Sequence, residues 1–174
     1  MSHTSSAQQH DLIAFLSTNP DGTVEDIAKR YDVTPLEVIR LIPTAQVFDG
    51  AQFDTVWDDI TQWGDVTTLV NNEDLILEFQ GELPSGTHRH GFFNLRGKKG
   101  LSGHIRATHC VHIALVERQF MGMDTASVWF INAAGRAMMK IFVGRDSHRV
   151  LLADQLAAFR ALPSKMTTQQ ETTV

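Results

Sequence analysis

The segment between residues 66 and 143 contains seven short β-type runs, separated by turn signals such as PSG, RGKKG, GMD and AAG. The runs are VTTLV (66–70), LILEFQGEL (75–83), HRHGFFNL (88–95), LSGHIRA (101–107), VHIALVERQF (111–120), TASVWFIN (125–132) and RAMMKIFV (136–143). Parallel strands need crossovers of about a dozen residues or more, and these connections are shorter. The pattern therefore predicts a broad antiparallel sheet of about seven or more strands, arranged as a meander.

Helical patterns fill the segment before this sheet. Three helices are predicted to begin at the cap signals of Ser6, Thr23 and Thr34, the last followed by a proline and then a glutamate. Apolar residues spaced i, i+3, i+4 and i+7 from Phe53 to Trp63 predict a fourth helix. The sequence therefore predicts an N-terminal helical part over about residues 6–63.

A closing helix is predicted to follow the sheet. Asp146 or Ser147 is expected to cap it over about residues 147–162, and the polar tail 164–174 is expected to be disordered. Helices at both ends of an antiparallel sheet are typical of the α+β class. The chain has 174 residues, which predicts a single domain, 1–174, with its sheet over about 66–143.

Charge and cysteine content exclude several classes of protein. The net charge of -5 argues against general nucleic-acid binding, which usually requires a basic domain. The single cysteine, Cys110, excludes an internal disulfide and is expected to be an inert buried thiol. No apolar run approaches the roughly 20 residues of a membrane helix, so no membrane insertion is expected. The opening MSHTSSAQQH lacks the pattern of a secretion signal, so a cytoplasmic location is expected.

One basic segment stands out against this acidic background. THRHGFFNLRGKKGLSGHIRA, residues 87–107, contains three histidines and five lysines or arginines. If RGKKG is a five-residue hairpin loop, Phe92 pairs with His104. In the same register His90 pairs with Arg106. One sheet face then displays these four side chains within about 5–8 Å of one another.

An imidazole, an aromatic ring and a guanidinium on one sheet face suit haem. Iron binds a neutral imidazole nitrogen, the porphyrin rests on apolar and aromatic side chains, and arginine or lysine meets the propionates. The alternative interpretation is a polar hairpin that carries surface histidines without a ligand.

Other kinds of site fit the sequence less well. The His-x-His of residues 88–90 could begin a mononuclear metal site, but the carboxylate that usually follows is absent. RGKKG lacks the P-loop pattern and a following helix. Met138 and Met139 would face opposite sides of a strand, which favours core packing. Residues 22–42 resemble a helix-turn-helix, but the second helix has a single cation and is interpreted as a packing helix.

Three long stretches of the chain resemble a known family. FDTVWDDITQWGDVTTLV, GELPSGTHRHGFFNLRGKKGLSGHI and IALVERQFMGMDTASVWFIN closely resemble the HutX/ChuX family of cytosolic haem utilisation carriers, and the likeness covers nearly the whole chain. The resemblance implies a fold similar to one half of the larger HemS-type haem proteins, usually assembled as a homodimer. It also implies that the protein receives haem imported into a bacterial cytoplasm and passes it on.

The resemblance extends to single residues. His104 matches the histidine of the family's SGHI motif and is the expected iron ligand. Arg106, Lys98 and Lys99 are expected to contact the haem propionates. The predicted haem-binding residues are therefore His104, Phe92, Arg106 and His90.

A second histidine follows the VTTLV motif in some relatives, where this chain has Asn71. An amide is a poor iron ligand, so the resemblance does not imply a two-histidine site here. Five-coordinate haem, or a substitute ligand such as His90 or a methionine, is expected instead.

The predicted function is that of a haem-binding transfer protein without covalent catalysis. Haem is the expected cofactor, and haem donor and acceptor proteins of the cytoplasm are the expected partners, with no nucleic acid. One alternative is an enzyme that degrades haem and releases iron, because an open position beside Asn71 would admit O₂ or peroxide. The second alternative is a helix-turn-helix transcriptional regulator.

Overall fold

The computed structural model describes residues 6–97 and 100–170. Within these residues the chain forms five α-helices and nine β-strands. The helices are α1 (Ser6–Ser17), α2 (Val24–Tyr31), α3 (Pro35–Leu41), α4 (Phe53–Ile60) and α5 (Ala153–Gln170). The strands are β1 (Gln46–Asp49), β2 (Asp65–Asn71), β3 (Ile76–Glu82), β4 (Gly86–Arg89), β5 (Phe92–Leu95), β6 (Gly103–Ile105), β7 (His112–Phe120), β8 (Met123–Ile131) and β9 (Ala137–Phe142).

The larger sheet has six antiparallel strands in the order β1-β7-β8-β9-β2-β3. Its centre is the long hairpin of β7 and β8, which turns at Met121 and Gly122. Both turn residues have positive φ, 51° and 71°, as the favoured two-residue hairpin turns require.

Side chains of β7 and β8 are buried on both faces of the larger sheet. Ile113 and Leu115 on β7 point into one core, and Ala114 and Val116 between them point into a second. This explains why β7 reads as a continuous apolar run, since a strand covered on both faces does not alternate with polar residues. The first core contains residues of α4, α5 and the smaller sheet, and the second contains residues of α1, α2 and α3.

The smaller sheet consists of β4, β5 and β6, and it packs on the first core. A two-residue turn at His90 and Gly91 joins β4 to β5, with φ of 54° and 79°. Gly86 on β4 lets the backbone approach the ring of Phe93. A Cβ at Gly86 would lie 2.3 Å from a carbon of that ring, so a larger residue would displace the strand.

The cap signals of Thr23 and Thr34 predicted α2 and α3 correctly, whereas Ser6 is the first residue of α1 and not its cap. The Thr23 side chain accepts a hydrogen bond from the Asp26 amide, and Thr34 forms a reciprocal capping box with Glu37. Val38 and Ile39 of α3 are fully buried in the second core. The interpretation of α3 as a packing helix is therefore confirmed.

The α+β class and the broad antiparallel sheet are confirmed, and the strand order differs from an uninterrupted meander. The strands divide into two sheets, because β3 is not paired with β4 and β6 is not paired with β7. Strand β1 lies inside the part predicted to be helical. It pairs with β7 through contacts such as Phe48 with Ile113, which a local helical pattern does not report.

The predicted bounds of the closing helix are wrong at both ends. Asp146 does not cap it, because its Oδ1 accepts the amides of His148 and Val150 and closes a turn instead. The helix begins at Ala153 and continues to Gln170, so disorder from residue 164 is also wrong over that range. Burial of Leu162 and Met166 in the first core explains the extension. Residues 171–174 lie outside the described residues.

None of the helices in the described part of the chain is long and apolar enough to cross a membrane.

Candidate functional site

The smaller sheet separates its side chains into a packed face and an exposed face. Residues paired across antiparallel strands share a face, so His88, Phe93 and Ile105 lie on one side. Phe93 on that side is buried, with its ring centre 5.2 Å from that of Phe53. We call the opposite side the outer face. It is formed by Thr87, Arg89, Phe92, Asn94, His104 and Arg106.

His104 lies at the centre of the outer face, on β6 opposite Asn94 of β5. Its Nδ1 is 2.5 Å from Asn94 Oδ1. Its ring centre is 5.8 Å from that of Phe92, at an angle of 63°. The side chain is exposed, and the other ring nitrogen, Nε2, has no hydrogen-bond partner in the described part of the chain. A neutral imidazole held in this way can offer Nε2 as a ligand.

Phe92 provides an apolar surface beside that imidazole. It is half-buried, and the Arg106 guanidinium lies 4.5 Å from the centre of its ring. A guanidinium stacked on an aromatic face is ordered by cation–π attraction and keeps its N–H groups available for an anion. Phe92 and Arg106 together can therefore contact a flat ligand that has an acidic edge.

The outer face and its margin are positively charged. Arg89 donates from Nε to His90, and Arg96 donates from Nε to Thr87 Oγ1 at 3.3 Å. Neither of these groups nor Arg106 forms an ion pair with an acidic side chain of residues 6–97 and 100–170. Three guanidinium groups without carboxylate partners favour an anionic ligand. Lys98 and Lys99, the other predicted propionate contacts, lie outside the described residues.

The predicted register of β5 and β6 is wrong by two residues. His104 pairs with Asn94 rather than with Phe92. Because side chains alternate with a period of two, a two-residue shift keeps every residue on its predicted face. The predicted neighbourhood of His104, Phe92 and Arg106 therefore remains on one face of the sheet.

The predicted strand position of His90 is wrong. His90 does not pair with Arg106, because it occupies the first position of the turn that joins β4 to β5. Its Nε2 lies 3.1 Å from Arg89 Nε and accepts a hydrogen bond from it. His90 therefore stands at the tip of the hairpin and not among the side chains of the outer face.

The His-x-His pair does not converge on one point. His88 lies on the packed face, where its Nε2 contacts the Asp54 carboxylate at 2.8 Å and its ring contacts Phe93. Across the described residues, no group of three His, Cys, Asp or Glu side chains is arranged to hold a metal ion. The structural role of His88 is to attach the hairpin to the start of α4.

Asn71 belongs to the larger sheet, at the end of β2 opposite Ile76 of β3. It is therefore outside the smaller sheet that contains His104.

Cys110 is buried, as predicted, and its thiol donates to the His112 carbonyl. Burial raises the pKa of this thiol to about 11, so it stays protonated at neutral pH. A thiol in that state is a poor ligand and a poor nucleophile.

A cavity of about 440 Å³ lies elsewhere, between α1, the β7–β8 hairpin and α5. Its charged side chains are paired within the protein. Arg160 forms two hydrogen bonds with Glu117, and Arg118 donates to two backbone carbonyls of the α1–α2 connection. On the outer face, by contrast, His104 Nε2 has no hydrogen-bond partner among the described residues, and the guanidinium groups have no carboxylate partner there. The outer face is therefore the candidate site.

The contact between Asn94 and His104 was not predicted from the sequence. The predicted register put Phe92 rather than Asn94 opposite His104, so the amide had no assigned contact. With the correct pairing, an amide directly across from a histidine would have indicated a hydrogen bond.

Comparison with known proteins identifies relatives across most of the chain. A family model described as Haem utilisation ChuX/HutX matches residues 46–162. The chain is 31% identical over 162 residues to the intracellular heme transport protein HutX of Vibrio cholerae serotype O1, with 91% of this chain and 84% of HutX covered. Among solved structures it is similar to the heme binding protein ChuX, with a TM-score of 0.84 and 58% identity over 90% of this chain and 99% of ChuX.

The fold also matches part of a longer protein. Apo-PhuS, a heme-binding protein from Pseudomonas aeruginosa, superposes with a TM-score of 0.76 at 14% identity, covering 92% of this chain and 48% of PhuS. This likeness concerns the fold alone, and it confirms the expected similarity to one half of a HemS-type protein. The family match covers more than half of the chain, and HutX and ChuX extend the likeness over about nine-tenths of it. The chain therefore belongs to the haem utilisation ChuX/HutX family.

Proposed function

We propose that this protein binds haem in the cytoplasm and passes it to downstream haem-using or haem-degrading proteins. The observation that carries the proposal is the grouping of His104, Phe92 and Arg106 on one exposed sheet face. Membership of the ChuX/HutX family supports it, as do the names of HutX, a heme transport protein, and ChuX, a heme binding protein.

His104 is the proposed iron ligand. Its Nδ1 is engaged by Asn94, so Nε2 is the nitrogen that would bind iron. Phe92, which lies beside this imidazole on the outer face, would offer the porphyrin an apolar contact.

The arginines of the outer face are the proposed partners of the haem propionates. Arg106 is the first candidate, because its guanidinium is already ordered against Phe92. Arg89 is the second candidate, because it lies on β4 directly opposite Phe92 of β5 and shares the outer face with it. A guanidinium binds a carboxylate through two parallel hydrogen bonds, which would fix the orientation of the macrocycle.

His90 is proposed as a contact at the rim of the site rather than as an iron ligand. The Arg89 guanidinium already uses its Nε2. Some relatives have a second histidine at the position of Asn71, but an amide is a poor iron ligand and Asn71 lies in the other sheet. We therefore infer that this chain binds haem through one axial histidine.

The exposure of His104 supports transfer rather than catalysis. A carrier must release its cargo, and a site on an open sheet face exchanges ligand more readily than a buried pocket. Haem that is bound through one protein ligand also leaves a coordination position to which an acceptor protein can bind. We infer that the protein is no enzyme, that the partners are a cytoplasmic haem donor and acceptor, and that the working form is a single haem-carrier domain in a homodimer.

Haem transfer to apomyoglobin tests this proposal. The haem-loaded protein is mixed with excess apomyoglobin, and the transfer is followed by the change in the Soret band. A carrier is expected to give up its haem completely, and His104→Ala is expected to release it faster. Retention of haem against excess apomyoglobin would contradict the carrier role.

A further inference from the structure

The amide of Asn94 is held in one orientation by the backbone of the β4–β5 hairpin. Its Nδ2 lies within hydrogen-bond distance of three carbonyl oxygens, those of Thr87 at 3.2 Å, Arg89 at 3.0 Å and Phe92 at 3.0 Å, which share its two N–H groups. In the reversed amide, Oδ1 would face the same three carbonyl oxygens. Oxygen atoms that can only accept would then repel one another without forming a hydrogen bond. The hairpin therefore fixes which Asn94 atom faces His104.

The fixed amide also fixes the proton of His104. Asn94 Oδ1 lies 2.5 Å from His104 Nδ1, and an amide oxygen can only accept a hydrogen bond. The proton of a neutral imidazole must therefore be on Nδ1. Nε2 then keeps its lone pair, directed away from Asn94.

We propose that Asn94 is a positioning residue that sets the Nδ1–H tautomer of His104 before haem arrives. This inference rests on the proposed function, because it concerns the ligand of the same site. A histidine that binds a metal through one ring nitrogen usually donates the N–H of the other nitrogen to a carboxylate, a carbonyl or a water. That partner orients the ring and tunes its basicity.

The neutral charge of the partner matters for a carrier. A carboxylate opposite Nδ1 would give the imidazole partial imidazolate character and a stronger bond to iron. An amide orients the ring equally well without that increase. Asn94 therefore favours a bond strong enough to hold haem and weak enough to release it.

The two substitutions Asn94→Asp and Asn94→Leu form a matched pair. Both residues branch at Cγ as asparagine does, and both lose the N–H groups of Nδ2 that face the hairpin carbonyls. Only Asn94→Asp retains an acceptor for His104 Nδ1. Asn94→Asp also puts a second carboxylate oxygen against the three carbonyls, so thermal unfolding of both variants is measured alongside, and a difference in tautomer or haem release at equal stability reports on the acceptor.

Nitrogen-15 NMR of the haem-free protein reads the tautomer directly. In the unsubstituted protein the His104 signals should show a protonated Nδ1 and an unprotonated Nε2. Asn94→Asp should keep this pattern, and Asn94→Leu should lose it. A neutral His104 imidazole with its proton on Nε2 in the unsubstituted protein would overturn the proposal, even if neither variant folds.

Haem binding supplies the second readout. Loss of a partner that orients a metal ligand lowers affinity by about 10- to 100-fold, so Asn94→Leu should release haem to apomyoglobin correspondingly faster. Asn94→Asp should release haem more slowly and raise the iron–histidine stretching frequency of the ferrous complex. Equal release rates and frequencies in the two variants would overturn the role of Asn94 in haem binding.

The experiment separates this inference from the proposed function. If His104 is not the iron ligand, His104→Ala leaves the haem spectrum unchanged, whereas the unsubstituted haem-free protein still shows the Nδ1–H tautomer of His104. If Asn94 has no positioning role, His104→Ala still changes the spectrum, but the two Asn94 variants behave alike.

Discussion

The guanidinium of Arg106 lies 4.5 Å from the centre of the Phe92 ring, on the same sheet face as His104. Phe92 is thus in contact with a cation and also with an imidazole, at 5.8 Å between ring centres. The arrangement orders three different functional groups on adjacent strands without enclosing them. It is suited to a flat ligand that has a metal at its centre and acids at its edge.

Arg106→Gln is expected to weaken haem binding by about three- to tenfold, the effect of losing one charged hydrogen bond at an exposed site. The loss should largely disappear with haem dimethyl ester, whose propionates are uncharged. Absorbance titrations with the two ligands measure both effects. Arg136→Gln is the matched control, since Arg136 is exposed and pairs with Glu73 outside the outer face. Equal affinities of the two variants would rule out a propionate contact by Arg106.

His90→Asn is expected to leave the Soret band in place and to change haem affinity little. Asparagine tolerates the positive φ of this turn position, so the hairpin should be preserved. The Soret position of the haem complex is the measurement. A shift as large as that of His104→Ala would make His90 an iron ligand and would contradict its proposed place at the rim.

The haem complex is expected to keep its Soret band when an electron donor or peroxide is added in air. A transfer protein must pass on an intact porphyrin, so no turnover of the porphyrin is expected. Absorbance spectra recorded over time, together with a chelator that detects released iron, provide the measurement. Loss of the Soret band with iron release and a bilin-like absorbance would favour the haem-degrading alternative.

Cys110 is expected to resist thiol reagents at pH 8 in the folded protein and to react rapidly after denaturation. With a pKa of about 11, only about one thiol in a thousand is ionised at that pH. The folded thiol keeps its proton up to about pH 11, whereas an unperturbed thiol loses it near 9.0. The free energy of unfolding should therefore fall as the pH rises through this window. Fast labelling of the folded protein at pH 8 would contradict the buried position.

Sequence patterns predicted the elements that depend on neighbouring residues. Thr34 and Glu37 cap α3 as expected, because a capping box is built within four residues. The runs of β7 and β8 were recognised because burial on both faces makes them strongly apolar. The hairpin pattern placed His104 on the same face as Phe92 and Arg106, and the resemblance to a known family then singled it out as the expected iron ligand.

The incorrect predictions concern pairings between distant residues. Strand β1 is short and gains its stability from β7, so its own four residues give little signal. The turn at His90 and Gly91 was not predicted, because residues 88–95 were interpreted as one continuous strand. A glycine that follows a residue able to adopt positive φ is nevertheless a signal for a two-residue hairpin turn. Asn94 remained unrecognised because its contact with His104 depends on a register that the loop length alone did not determine.

A haemin titration of the unsubstituted protein and of His104→Ala, read by absorbance, tests the central claim most directly. His148→Ala is the control, because His148 is an exposed histidine in the turn before α5. We predict a saturable Soret band for the unsubstituted protein and for His148→Ala, and a shifted band with markedly weaker binding for His104→Ala. An unchanged spectrum and affinity in His104→Ala would contradict the claim that this imidazole binds the iron.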